Sequence, residues 1–362
     1  MPFKLEPRLH HSHLMSLVSP VAAVVFMLVA GVLLFVMLGL RPLAALHAFF
    51  VAPLSSKNGI AEWLLKASSL LLIAQGLAIG FRANVWNIGA EGQLTLGAVF
   101  AGVLAIRFDG TTSPLLLPAM VLAAAVGGML WAAIPAFLRT RFNASEILVT
   151  LMLTYVAGLF LSYLVHGPLR DPQGLNFPQS IMFGDSALFP ILLEGTRLNA
   201  SILVALVATA LAWVFMERSF AGYKMLVGGL APLAARYAGF SEKRSVWLGL
   251  LIGGAAAGLA GVSEVAGPVG QLHPYVSPGY GFAAIIVAFV GRLHPVGIVL
   301  AGLLMSLLYL GGESAQITLQ LPSAITSMFQ GLLLFFLLGC DVFIYYRLRR
   351  VQPVVALERV TA

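Results

Sequence analysis

The chain has 362 residues, of which 60% are hydrophobic and 10% charged, against about a quarter charged in ordinary soluble domains. That composition excludes a water-soluble fold, and the lone Cys340 excludes an intrachain disulfide. The formal net charge of +7 follows membrane topology rather than a nucleic-acid footprint, so no nucleic-acid partner is expected.

The apolar residues fall in blocks of about twenty, the length a helix needs to cross about 30 Å of hydrocarbon. Long runs with Gly and Ala inside them lack the alternation of a β-barrel. An all-α polytopic membrane protein is therefore predicted, a single transmembrane domain over 1–362. The expected spans are 15–39, 61–80, 93–107, 115–138, 147–165, 199–216, 246–266, 280–291, 295–311 and 323–345. The eighth is short and runs into the ninth through Gly291–Pro295, which leaves nine spans or a re-entrant segment as an alternative to ten. The first block follows Lys4 and Arg8 as a signal peptide would, yet it is too long and lacks a cleavage site, so it reads as a retained helix.

Ten spans put both termini on one side. With that side cytoplasmic, fifteen of the 21 basic residues lie inside, five outside, and Lys66 within the second span, as the positive-inside rule requires. The tail 1–14 and the loop 217–245 are then cytoplasmic and the loop 167–198 external, either a docking surface or a plain solvated loop. The segment 41–62 is external too, and its Leu43, Leu46, Phe49 and Phe50 fit an amphipathic helix lying on the bilayer.

Between the second and third spans lies the polar stretch Phe81-Arg-Ala-Asn-Val-Trp-Asn-Ile-Gly-Ala-Glu-Gly-Gln93. Asn87 suits a helix N-cap, and Glu91 would follow in the first turn, where the helix dipole favours a carboxylate. Alternatively Asn87, Glu91 and Gln93 line a polar path beside a broken helix. The G-x-x-G-Q pattern of Gly89–Gln93 recurs at Gly267–Gln271 on the opposite face. That is either an inverted repeat or chance in a chain with 37 glycines.

In the loop 217–245, Pro232 suits the first turn of a short helix and Gly239 its end. Such a helix is a connector, or the element a membrane subunit presses into a groove on a cytoplasmic motor. The seventh span carries Gly254 and Gly258 in G-x-x-x-G spacing, a helix-packing pattern. Glu264 and Glu313, at span ends, either snorkel to water or meet a polar solute at the entrance.

No G-x-x-x-x-G-K-[ST] phosphate loop and no H-E-x-x-H occur, so no ATPase or metalloenzyme is expected. His10, His11 and His13 form the one dense His cluster, which a polar tail explains without metal. No catalytic residue, metal site or cofactor is assigned to the chain.

At these residues the chain resembles the permease subunits of nucleoside and simple-sugar ABC importers, within the branched-chain amino acid and ribose permease group. The resemblance rests on Asn87-Ile-Gly-Ala-Glu-Gly-Gln93, Ala234-Ala-Arg-Tyr-Ala-Gly239, Gly279-Tyr-Gly-Phe282, Gly291-Arg-Leu-His-Pro-Val-Gly297, Gly311-Gly-Glu313 and Gln330-Gly331, in order from about residue 60 to 340. It implies a multi-pass protein of the cell (inner) membrane, a homologous or identical second permease, ABC ATPase subunits carrying ATP and Mg, and an extracytoplasmic solute-binding protein. It also implies an ATPase-coupling helix of Ala231, Pro232, Leu233, Ala234, Ala235, Arg236, Tyr237 and Gly239. Relatives commonly read Asn-Pro-Glu where this chain reads Ala231-Pro-Leu233, and losing an Asn cap weakens a helix start by about 0.5–2 kcal/mol.

The expected function is import of a nucleoside or related sugar-like solute by alternating access. The alternative is a secondary transporter driven by an ion gradient, which calls for midplane carboxylates, whereas the acidic residues here cluster at span ends. Asn84, Trp86, Asn87, Glu91, Gln93, Phe282, Glu313 and Gln316 are the residues expected to face a translocation path.

Overall fold

A computed structural model of the chain describes residues 3–8 and 13–350. Much of the tail 1–14, with His10 and His11, lies outside the described residues, as does everything after residue 350.

In chain order the elements are strand β1 (Phe3–Pro7) and helices α1 (His13–Met37), α2 (Pro42–Leu46), α3 (Lys57–Arg82), α4 (Ala90–Arg107), α5 (Leu116–Phe142), α6 (Glu146–His166) and α7 (Ser201–Arg218). Then follow α8 (Phe220–Leu230), α9 (Pro232–Tyr237), α10 (Glu242–Glu264), α11 (Tyr280–Val290), α12 (Pro295–Leu319), α13 (Ala324–Tyr345) and strand β2 (Tyr346–Arg350). The all-α membrane fold is as expected, and each of the ten predicted spans falls on a helix. Among the described residues, however, only eight helices are long and apolar enough to cross a membrane. The other two are α4, whose first turn holds Glu91 and Gln93 and whose last holds Arg107, and α11. The latter has 11 residues, a length of about 16 Å, half the hydrocarbon thickness.

The chain divides into two compact units. In the smaller, residues 1–45 and 327–362, Gly31 admits the Phe329 ring: a Cβ there would lie 2.5 Å from it. Phe35 packs on the same ring at 5.8 Å, and the Ser19 hydroxyl donates to Asp341 at 2.5 Å. β1 and β2 pair antiparallel, Phe3 opposite Arg350 and Pro7 opposite Tyr346. The two described ends of the chain therefore meet.

The larger unit, residues 46–326, is built around α3, which is buried from Ala67 to Phe81. α10 runs antiparallel to it: Ser69 meets Glu264, Gly76 meets Gly253 and Gly80 meets Gly249. On another face α10 takes α5 at backbone contact. A Cβ at Gly258 would lie 2.1 Å from the Ala124 carbonyl oxygen, so the G-x-x-x-G spacing is a packing face. The segment 41–62 departs from expectation. It is helical from Pro42 to Leu54, but Phe49 is fully buried, and its carbonyl would lie 2.0 Å from a Cβ on Gly311. Phe49 thus packs into the protein rather than lying on lipid.

Candidate functional site

The expected path residues separate into three places. In the first, α3 ends where Asn84 adopts a left-handed conformation, φ 57°, and the chain turns back through 83–89 to begin α4. Asn87 is buried and exchanges two hydrogen bonds with Gln93, Asn87 Nδ2 to Gln93 Oε1 at 2.8 Å and Gln93 Nε2 to Asn87 Oδ1 at 3.1 Å. Asn87 Oδ1 also accepts the Gly89 N–H at 3.1 Å, and the Ile88 N–H donates to Thr150 Oγ1 of α6 at 3.2 Å. The N-cap residue is Gly89, so Asn87 braces the turn two residues ahead of the cap instead of capping the helix itself. A buried amide pair with its hydrogen bonds made is rigid and costly to break.

Glu91 lies in the first turn of α4, as expected. Its Oε2 accepts the N–H of Gly281, in the first turn of α11, at 2.6 Å. A Cβ on Gly281 would lie 2.2 Å from the Glu91 backbone nitrogen, so the starts of α4 and α11 touch because Gly281 has no side chain. Phe282, the next residue, is partly exposed.

The second place is the aromatic flank of the same turn, against α11. The Trp86 indole N–H donates to Asn84 Oδ1 at 2.8 Å, and its ring stacks on Phe289 of α11 at 5.8 Å and packs on Phe81 at 5.3 Å. Arg82 donates to the Leu293 carbonyl at 3.0 Å and pairs with Glu217 at 2.8 Å.

The third place lies at the opposite end of the unit, the end the charge bias predicts to be external. A cavity of about 220 Å³ is lined there by Glu62, Lys66, Arg197, Glu264, His273 and Tyr280, among others. Both of its basic side chains are paired: Arg197 grips Glu62 through two nitrogens at 2.7 and 2.8 Å, and Lys66 meets Glu313 at 2.9 Å. Hydrogen bonding to Glu62 raises the Arg197 pKa above its ordinary value. Glu264 is buried and accepts the Ser69 hydroxyl at 2.5 Å. One wall is the segment between α10 and α11, onto which the long loop folds: Ser180 N–H to Leu272 O at 2.9 Å, Phe183 N–H to Gly270 O at 2.8 Å, and Phe189 N–H to Ala266 O at 2.8 Å. The loop 167–198 is thus anchored along that stretch rather than merely solvated. Gln316, partly buried, lies three residues past Glu313 on α12.

A small cavity whose basic side chains are each matched by a carboxylate presents hydrogen-bond donors and acceptors without an excess of positive charge, which suits a neutral polar solute better than an anion. Sequence reasoning missed Glu62, Arg197 and Tyr280 here. The available signal was Lys66, a basic residue inside a span, which needs a carboxylate partner.

On the far side, α8 was not anticipated. It forms by close approach rather than by propensity, since its Gly222 and Gly229 are poor helix residues. A Cβ on Gly222 would lie 2.1 Å from the Phe215 carbonyl oxygen, and one on Gly229 2.1 Å from the Arg82 carbonyl oxygen. α9 follows, shorter than the predicted 231–239. Gly239, φ 77°, ends it, with the Phe240 N–H returning to the Ala235 carbonyl at 2.9 Å. Leu233 is 83% and Tyr237 97% exposed, whereas Ala235 is buried. Ala235 therefore anchors the helix, and Leu233 and Tyr237 are what it offers to a partner. The neighbours Ala231, Pro232, Ala234, Arg236 and Gly239 are exposed as well.

The two G-x-x-G-Q stretches do different work. Gln93 belongs to the buried amide pair, while Gln271 donates to Gln179 of the long loop at 3.3 Å. What repeats is the arrangement of elements: α3 and α10 are long antiparallel helices, and each is followed by a helix that is not long or apolar enough to span, α4 or α11.

The chain matches the family described as branched-chain amino acid transport system / permease component over residues 59–338. It is 37% identical to a glucose ABC transporter permease protein of Haloferax volcanii, over 95% of this chain and 93% of the relative. It is 31% identical to a guanosine ABC transporter permease protein of Bacillus subtilis, over 88% and 92%. A nucleoside ABC transporter permease protein of Lactococcus lactis is 29% identical over 81% and 82%. No solved structure matches.

Proposed function

The chain belongs to the family of branched-chain amino acid transport system permease components, and from that premise we propose that it is the membrane-spanning subunit of an ABC importer carrying a nucleoside or related sugar-like solute into the cytoplasm. Two such permeases, identical or homologous, stand on ATPase subunits that bind ATP and Mg, and an extracytoplasmic binding protein delivers the solute. Nucleotide-driven closure of the motor biases the pair between outward and inward states, so that the solute meets one face at a time. Both termini and the α8–α9 region face the cytoplasm, and the charged cavity faces outward.

The observation that carries the reading is α9, a six-residue helix displaying Leu233 and Tyr237 outside the spans. Large apolar groups left bare beyond the bilayer mark a protein contact. Leu233→Asp or Tyr237→Asp should leave insertion intact and weaken retention of the ATPase by about 2 kcal/mol or more, a loss of thirtyfold or greater, because each places a charge in a contact that must dry. Co-purification measures this, and retention equal to the parent's would remove α9 from the coupling role. Uptake of labelled guanosine and glucose by vesicles holding the permease and ATPase should require ATP. Uptake by this chain alone under a proton or sodium gradient would make it a secondary transporter.

A further inference from the structure

Resting on the importer reading, we infer that Glu91 is a positioning residue that ties the cytoplasmic turn 83–89 to the wall of the charged cavity, so that motion of α8 and α9 reaches the cavity through its carboxylate.

The connection is continuous. α8 rests by Gly229 on the Arg82 carbonyl and on Ala83, the last turn of α3 and the start of the turn 83–89. That turn is stiffened by the Asn87–Gln93 pair and by Thr150, so a push at Ala83 moves it as one piece into the start of α4. There Glu91 accepts the Gly281 N–H at 2.6 Å, and the two backbones are too close for a side chain on Gly281. Tyr280, the neighbour of Gly281, lines the cavity. The chain ahead of it is fixed to the same helix start, because Ser277 Oγ accepts the N–H of Gly279 at 3.2 Å and of Tyr280 at 3.0 Å. Tyr275 and Val276, just before Ser277, line the cavity too.

A carboxylate suits this position because the first turns of both α4 and α11 present N–H groups that have no partner within their own helix, and the positive ends of their dipoles. A bond of this type that is made in one state and strained in the other gives coupling between distant faces. A Glu that only stabilised the fold would leave the nucleotide response of the cavity unchanged, and that difference is measurable.

The test uses the full chain with its ATPase in nanodiscs, in a Cys340→Ser background with Tyr275→Cys, a site 84% exposed. The rate of modification by a hydrophilic maleimide is read without nucleotide and after trapping with ATP and vanadate. In the parent the two rates should differ by about fivefold or more. Glu91→Ala should keep the ATPase bound but erase the difference. Glu91→Gln keeps an acceptor for the Gly281 N–H without the charge, and its response should fall between. A parent-like response in Glu91→Ala overturns the inference, and where that variant fails to insert, a parent-like response in Glu91→Gln does the same. A parent that holds its ATPase yet shows no difference also overturns it. A parent that holds no ATPase overturns the importer reading instead.

Discussion

Helices α3 and α6 look alike as hydropathy peaks and differ in almost everything else. The apolar window of α6 has mean hydropathy 2.1 and is 17% buried, whereas that of α3 has 1.7 and is 89% buried. The more apolar helix is the exposed one. In lipid this ordering is expected, because hydrocarbon tails satisfy Leu and Phe as well as a protein core does, and association depends on close packing and on polar groups finding partners. α3 accordingly carries Lys66, Ser69 and Gln75, each hydrogen-bonded to another helix, and contributes Gly76 and Gly80 to close contacts with α10. What distinguishes the interior helix α3 from α6 is its partnered polar and small residues, since large apolar residues such as Leu70 and Leu159 occur on both.

The contrast is broken most severely by filling the interior. Gly258→Leu would drive a side chain into the Ala124 carbonyl of α5, with Gly97 of α4 also in contact. Overpacking costs about 1–3 kcal/mol in ordinary cores, and here backbone atoms stand in the way, so the upper end or beyond is expected. The fraction remaining monodisperse after heating in detergent should fall sharply. Survival like the parent's would mean that α5 and α10 separate freely, contrary to the packing described.

Next comes the polar interior. Asn87→Leu removes both hydrogen bonds to Gln93 and the acceptor for Gly89, leaving a buried amide without its partner. About 1–3 kcal/mol should be lost, seen as a lower midpoint in the same heating assay, and pairing the change with Gln93→Leu should recover part of it. If the single variant matches the parent, the amide pair contributes nothing and the turn 83–89 is held by its other contacts, Thr150 and the Trp86 ring among them.

These residues also show how much could be read without coordinates. The helices, the loop 217–245 and the start of α4 near Glu91 were legible because each has a local signature: a run of apolar residues, a cluster of basic ones, a carboxylate in a first turn. Contacts between segments far apart in sequence were not. Nothing near Gly281 announces that it meets Glu91, and nothing near Arg197 announces Glu62. The burial of Ala235 was hidden for the same reason, since a six-residue helix has no periodicity long enough to show which face it buries. α8 was obscured by glycines that read as loop and in fact admit the backbones of α7 and α3.

The smallest effect belongs to the rim, and it sharpens the comparison most directly. Leu159 on α6 is 74% exposed, while Leu94 on α4 is fully buried. In water both would be costly to expose, but a lipid-facing leucine exchanges one hydrocarbon neighbour for another when it is shortened. Leu159→Ala should therefore change the heating midpoint by less than the equivalent of about 0.5 kcal/mol. Leu94→Ala gains no such compensation, because lipid cannot enter the gap left around a fully buried side chain. Its cost is the lost packing alone, without the water-transfer contribution, and it should fall at or below the low end of the roughly 2–5 kcal/mol seen in water-soluble cores. Measured side by side, equal losses at the two positions would mean that α6 is covered by protein rather than lipid, a result that would assign this face to the second permease of the pair.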